Sequence, residues 1–278
     1  MKKFPVALQL FSVRDDLAAD FEGTIKKVAA LGYDGVEFAG TYGRTAEQVK
    51  NICTEAGVKP VSAHVSFAEL MQDPEGVIQY YAEIGCKYIA IPYLTEEYRP
   101  GHEKFSEIIE GSRFLGEICK RHGIQLCYHN HDFEFVKIDG EYALDILYKE
   151  VPAEYLATQI DTCWANVAGE DPAPYVEKYA GRTPTVHLKD FVMPGKKPSR
   201  MYQLIGIDDG AQEESDGSSG FAFRPVGYGA QRIEEIVQAA EKSGAEWLIV
   251  EQDSPSMGKT PLECAEMSIT YLRSILGK

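Results

Sequence analysis

The chain has 278 residues, of which 44% are hydrophobic, with 28 basic and 43 acidic side chains and a formal net charge of −15. That length suits one α/β barrel, which takes about 250 residues, better than two small domains. The acidic balance argues against a nucleic-acid-binding surface, which needs a basic stripe, but leaves room for a small anionic substrate beside a metal ion or local Lys and Arg.

The elements alternate strand and helix from the start. PVALQLF reads as a first strand, and Asp20 opens the amphipathic run FEGTIKKVAALG, whose Phe21, Ile25, Val28 and Ala29 share one face. Gly32 closes it in the position helices favour for a left-handed cap. DGVEF is strand two; Thr45 and Gln48 form a capping box that opens TAEQVKNICTEAG. VKPVSAH is strand three, followed by DPEGVIQYYAEIG with Pro74 in its first turn. KYIAIPY is strand four, and HEKFSEIIEGSRFLGEICKRHG a long helix. IQLCYHNH, YLATQID, TPTVHLKD and EWLIVEQD complete the strands, with helices at ALDILYKEV, DPAPYVEKYAG, RIEEIVQAAEKSG and TPLECAEMSITYLRSIL.

Continuous apolar strands alternating with helices imply a parallel sheet buried on both faces. Eight such units imply a closed (β/α)8 TIM barrel as a single domain over 1–278. The rival is an open doubly wound sheet. It normally carries a glycine-rich phosphate loop after strand one, and the loop here is SVRDD.

The stretch 191–230, with PGKKP and GAQEESDGSSG, breaks the rhythm. Loops this long are usually functional or disordered; a lid over the barrel mouth and a subunit contact are both expectations, and a mobile acidic loop at 208–220 is the plainer alternative. The six cysteines form no CxxC pair and read as buried free thiols. No run reaches transmembrane length, and the opening segment lacks the features of a signal peptide. A soluble cytoplasmic protein without membrane or nucleic-acid partners is expected.

In a barrel, the carboxyl ends of the strands face the active site. Taken in order they are Gln9, Glu37, His64, Tyr93, His129 with His131, Asp161, His187 with Lys189, and Glu251. Carboxylates crowded at one rim repel each other unless a cation is present. The mixed O/N set suits one divalent ion among Mn²⁺, Co²⁺, Mg²⁺ and Zn²⁺, with Mn²⁺ favoured.

The segments LQLFSVRD, LGYDGVEF, SAH, YHNHDFEF, IDTCW, GRTPTVHLKD, VGYG and IVEQD resemble the sugar isomerase/epimerase superfamily of xylose isomerase-like barrels. That superfamily also holds inosose dehydratases and the endonuclease IV group. The resemblance spans the chain outside the insertion. It implies one metal ligated from strands five to eight, with Asp161, His187 and Glu251 matching the last three ligands.

Strand five departs from the pattern: where many relatives have a glutamate, this chain has His129-Asn130-His131. Two ligands are open, His129 through a ring nitrogen or Glu134 folded back from beyond the strand end. Glu134 is preferred because hard divalent ions favour oxygen. The resemblance implies proton transfer beside a carbonyl, with Glu251 as one base and His129 or His131 as its opposite partner. Lys189 is assigned to substrate oxygens or a developing enolate, or to a salt bridge with Asp190 or Glu251. Glu37, His64, Trp164 and Gln9 are assigned to substrate binding, and Arg14 more weakly to a phosphate.

The expected function is a metal-dependent isomerase or epimerase of a sugar or keto-sugar, working through an enediolate. An inosose dehydratase-like or β-eliminating lyase is the alternative. A non-catalytic sugar-binding barrel is the reading from outside enzymology, and a DNA-repair endonuclease is disfavoured by charge. A homo-oligomer is possible in this superfamily.

Overall fold

A computed structural model describes residues 4–195, 202 and 220–277. Eight short strands form the barrel: β1 Val6–Gln9, β2 Gly35–Phe38, β3 Lys59–His64, β4 Tyr88–Ile91, β5 Gln125–His129, β6 Ala157–Asp161, β7 Thr185–Leu188 and β8 Trp247–Val250. They pair in parallel around a closed ring, with β8 returning to β1. The open-sheet alternative is thereby excluded.

Strand alternation divides the side chains into two sets. Outward residues such as Leu8, Val36, Tyr128, Ile160, Val186 and Leu248 join the core beneath the helices. Inward residues Ala7, Val61, Tyr88, Ala90, Cys127, Ala157, Trp247 and Ile249 form a separate apolar plug. Following the same inward face along the chain gives Ala157, Gln159 and Asp161 on β6, and Trp247, Ile249 and Glu251 at β8. The barrel interior therefore changes from apolar to polar toward the carboxyl ends. The β2–β3 register shifts between Val36 and Glu37, so Glu37 lies opposite Ser62. Such bulges occur beside active sites, where they re-aim a side chain.

Local signals hold the surrounding helices. Thr45 and Gln48 make the expected reciprocal cap on Ala46–Ala56, and Gly57 ends that helix at φ 77°. Thr260 and Glu263 form a second capping box on Pro261–Ile275. Two short helical segments, Leu10–Val13 and Arg14–Ala19, follow β1 where a loop was expected. The Gln9 Oε1 starts the first by accepting from the Phe11 amide at 2.9 Å.

The long insertion after β7 leaves and returns through an antiparallel ribbon, Asp190–Val192 against Ala222–Arg224. The VGYG turn that follows wraps Asp190, whose carboxylate accepts from the amides of Gly227 (3.0 Å), Gly229 (2.9 Å) and Gln231 (3.1 Å). A Cβ at Gly229 would stand 2.1 Å from Asp190 Oδ1, so the turn requires glycine there. The lid expected for 191–230 falls largely on 196–201 and 203–219, which lie outside the described residues.

Candidate active site

Asp161, His187, Glu251 and His129 meet at the carboxyl mouth of the barrel. Each offers a ligand atom within 4.8 Å of the others, and all four side chains are buried. Register explains the meeting: Asp161 pairs with His187 across β6 and β7, and His129 pairs with Gln159 across β5 and β6. The carboxylate of Asp161 is divided. Oδ1 caps the helix Thr162–Val167 by accepting from the Trp164 amide at 2.9 Å. Oδ2 is buried without a hydrogen-bond partner among the described residues, with His129 Nε2 and Lys189 Nζ each at 3.7 Å. A buried carboxylate oxygen in that state is costly, and a cation among these donors would satisfy it. The residues fit a divalent ion of the nitrogen- and oxygen-binding class.

Glu134 is not in this group, which corrects the preference for it as the strand-five ligand. A single 3-10 turn, Phe133–Phe135, follows β5 and turns Glu134 away from the cluster. Its Oε1 accepts from the Tyr128 hydroxyl at 2.7 Å and its Oε2 from the His131 amide at 2.8 Å. Burial raises its pKa to about 8 against the opposing pull of Tyr128. Glu134 thus braces the strand-five turn, and His129 takes the place at the cluster.

Beneath the cluster lies a polar net centred on Glu37. Its oxygens receive Gln9 Nε2 (2.8 Å), Gln159 Nε2 (2.8 Å) and His187 Nε2 (2.7 Å), with His64 Nε2 at 3.1 Å. Burial would raise the Glu37 pKa, but the His64 and His187 rings outweigh it and hold the carboxyl well below its ordinary range. Glu37 and Gln9 are fully buried with their polar atoms engaged, so neither is free to meet substrate as expected. His187 is lowered by burial and raised more strongly by Glu37 and Glu251, to about 10.

Above the net opens a cavity of about 410 Å³. Phe11, Pro92 and Tyr93 line its apolar part; His64, His129, His131, Lys189, Glu251 and Asp253 line its polar part. Lys189 Nζ pairs with Glu251 Oε2 at 3.0 Å and with Asp253 Oδ2 at 2.7 Å. It also lies 5.4 Å from the Trp164 ring centroid. Burial would raise Glu251, but Lys189 and then His187 hold it well below the usual carboxylate range. His131 is driven the other way: burial first and Lys189 second keep its ring neutral, well below the ordinary imidazole pKa.

Trp164 is fully buried behind His131, ring centroids 5.1 Å apart, and does not line the cavity as a sugar platform would. Tyr202, inside the insertion, reaches the same aromatic group and donates to Asp132. Arg14 donates to the Phe11 and Asp253 carbonyls at 3.0 and 2.7 Å, which makes it a brace of the β8 loop. Asp253 and Gln159 were missed in the sequence. Asp253 sits two residues past Glu251 in the same EQD run, and that spacing was a usable signal. Gln159 shares the inward face with Asp161, and a polar side chain inside a barrel strand was the corresponding one.

A second cavity of about 280 Å³ opens at the opposite end of the barrel, beside Tyr88, Arg182 and Glu246. Arg182 gives its donors there to the Leu156, Tyr148 and Val151 carbonyls, which makes it a structural fastening.

The profile of the xylose isomerase-like TIM barrels matches residues 25–275. The chain belongs to that family. Within it, the chain is similar to an inosose dehydratase of Clostridium beijerinckii, 23% identical over 92% of this chain and 90% of the relative. Among solved structures, a sugar phosphate isomerase/epimerase from Parabacteroides distasonis superposes with a TM-score of 0.74 at 20% identity, over 99% of this chain and 95% of the other. The IolI protein, solved with a zinc atom, superposes with a TM-score of 0.70 at 13% identity, over 99% and 98% of the two chains. Among the described residues of this xylose isomerase-like barrel, no helix is long and apolar enough to cross a membrane.

Proposed function

We propose that the protein is a divalent-metal-dependent enzyme that removes the proton beside the carbonyl of a keto-sugar and then eliminates water. One observation carries this reading: the Glu251 carboxylate, a member of the four-residue cluster, and the His131 imidazole line the same cavity. His129, Asp161, His187 and Glu251 would hold the ion. When bound, it polarises the substrate carbonyl and so acidifies the neighbouring C–H. That matters because Glu251, with its depressed pKa, is a weak base on its own.

The chain's own groups then divide the work. Glu251 takes the proton from carbon, and Lys189, 3.0 Å from its Oε2, stabilises the carboxylate and the oxygen charge that develops nearby. His131 stands at the cavity wall. Its neutral ring carries one N–H and one lone pair, so it can relay to the departing hydroxyl the proton that Glu251 has taken from carbon, and water leaves with the proton balance closed. Phe11 and Tyr93 exclude water from the apolar side. Two imidazoles in the donor set move the metal preference toward Mn²⁺ or Zn²⁺ and away from Mg²⁺.

The inosose dehydratase relatives support the elimination. Isomerisation or epimerisation is the second reading, in which Glu251 and His131 serve the same first step and the proton is returned to carbon.

The test is incubation of the metal-loaded protein with inososes and ketoses in D₂O. Loss of water with formation of an enone supports elimination. Deuterium incorporation beside the carbonyl without loss of water establishes the second reading. Ligand binding that survives chelation, with no turnover, identifies a sugar-binding barrel instead.

A further inference from the structure

The net under the cluster has a direction that can be read from donor and acceptor chemistry alone. Ionised Glu37 only accepts, so the Gln159 atom 2.8 Å from its Oε2 is the amide nitrogen. The same nitrogen donates to Thr185 Oγ1 at 3.1 Å. The Gln159 carbonyl oxygen therefore faces His64 Nε2 at 2.7 Å and His129 Nδ1 at 3.2 Å. A carbonyl oxygen only accepts, so both of those ring nitrogens carry hydrogen. Glu37 Oε1 likewise demands a hydrogen on His187 Nε2, 2.7 Å away. Gln9 is oriented independently, because its Oε1 receives the Phe11 amide and its Nε2 must then point to Glu37.

We infer that Glu37 is the positioning residue that sets the tautomers of both imidazoles at the cluster. It holds His187 as the Nε2–H form directly and His129 as the Nδ1–H form through Gln159. With His187 Nε2 and His129 Nδ1 committed as donors to the net, the ring nitrogens left for the cluster are His187 Nδ1 and His129 Nε2, 3.1 and 3.7 Å from Glu251 and Asp161. Ligation displaces the proton that His187 Nδ1 shares with Glu251 in the metal-free protein. Outer partners of this kind fix the orientation and basicity of metal-binding histidines. A strand-two residue that never reaches the cavity thus prepares ligands on strands five and seven.

The metal-affinity part of the test rests on the metal reading, whereas the tautomer part does not. Nitrogen-15 NMR of the histidine rings in the unmutated protein is expected to show His129 as Nδ1–H without metal and with Zn²⁺, and His187 as Nε2–H in the zinc-loaded protein. His129 as Nε2–H, or zinc-loaded His187 as Nδ1–H, overturns the inference. Glu37→Gln keeps the shape but offers an amide nitrogen where only an acceptor fits. The variant, shown to be folded by circular dichroism, is expected to bind Zn²⁺ about 10- to 100-fold more weakly in chelator competition; an affinity within about twofold of the unmutated protein overturns the inference. Should the unmutated protein take up no zinc, the metal reading fails on its own, and the His129 tautomer still decides the role of Glu37.

Discussion

The Lys189 ammonium lies 2.7 Å from Oδ2 of Asp253, a residue two places beyond the strand-eight carboxylate, and both groups are buried. The same nitrogen reaches Glu251 at 3.0 Å and Asp161 at 3.7 Å, so one cation serves three carboxylates. Removing it leaves buried charge uncompensated. Lys189→Met is expected to lose about 3–5 kcal/mol of stability at pH 8. The loss shrinks at pH 5, where protonation of Asp161 and Asp253, raised by burial to about 6 and about 7, relieves the repulsion. Urea unfolding at the two pH values checks this, and an equal loss at both would refute it.

Glu134 gives a pH dependence of definite sign. Its folded pKa of about 8 stands above the ordinary 4.5, so the folded protein holds a proton that the unfolded chain has released. The contribution is complete below the unfolded pKa and is lost as pH rises through about 8, at up to about 1.4 kcal/mol per unit. Glu134→Gln keeps an acceptor for the His131 amide and carries no charge. The variant is expected to gain stability relative to the unmutated protein between pH 5 and 8, as read from paired denaturation curves.

Metal binding should appear as stabilisation. At a hundred times its Kd, Mn²⁺ or Zn²⁺ is expected to add about 2.7 kcal/mol, visible as a rise in Tm that chelation reverses. Asp161→Ala removes that rise. Because His187 keeps a proton up to about pH 10, ligation through its ring displaces one. Apparent affinity should therefore climb with pH, by up to about tenfold per unit. Calorimetry in buffers of different ionisation enthalpy counts the proton released.

The two groups assigned to proton transfer can be separated. Glu251→Gln is expected to abolish both C–H exchange and product formation, a loss of at least about 10²-fold. His131→Gln should keep exchange while losing elimination by a similar factor. Parallel loss of both in the His131 variant would place His131 in the first step.

Gly229→Ala tests the turn that closes the insertion. The added Cβ meets Asp190 Oδ1 at 2.1 Å, so the VGYG turn must withdraw from the carboxylate it wraps. A loss of about 1–3 kcal/mol is expected, measured by thermal unfolding.

Much of this molecule was legible before folding was considered. Alternation of apolar strands with capped helices marked the eight barrel units, because burial on both faces leaves continuous apolar runs that length and glycine punctuation separate from helices. Asp161, His187 and Glu251 could be read as one constellation because each ends such a run, and strand ends in a barrel converge. Lys189 followed from the two-residue period after His187.

What could not be read was depth and direction. Glu37 lies inside β2 and Gln9 closes β1, both below the cavity, whereas Glu251 stands one residue past β8; the tilt and stagger of a closed barrel set those heights. Glu134 turns away through one 3-10 turn, whose course depends on Tyr128 reaching across from the strand before it. Asp253 joins Lys189 only once β7 and β8 are paired. By itself, then, the sequence determined the barrel and the residue types gathered at its mouth, since local periodicity and composition suffice for those. Only the tertiary structure decided which of them touch, because contacts between residues as distant as Glu37 and His187 are set by barrel closure and register and leave no local trace.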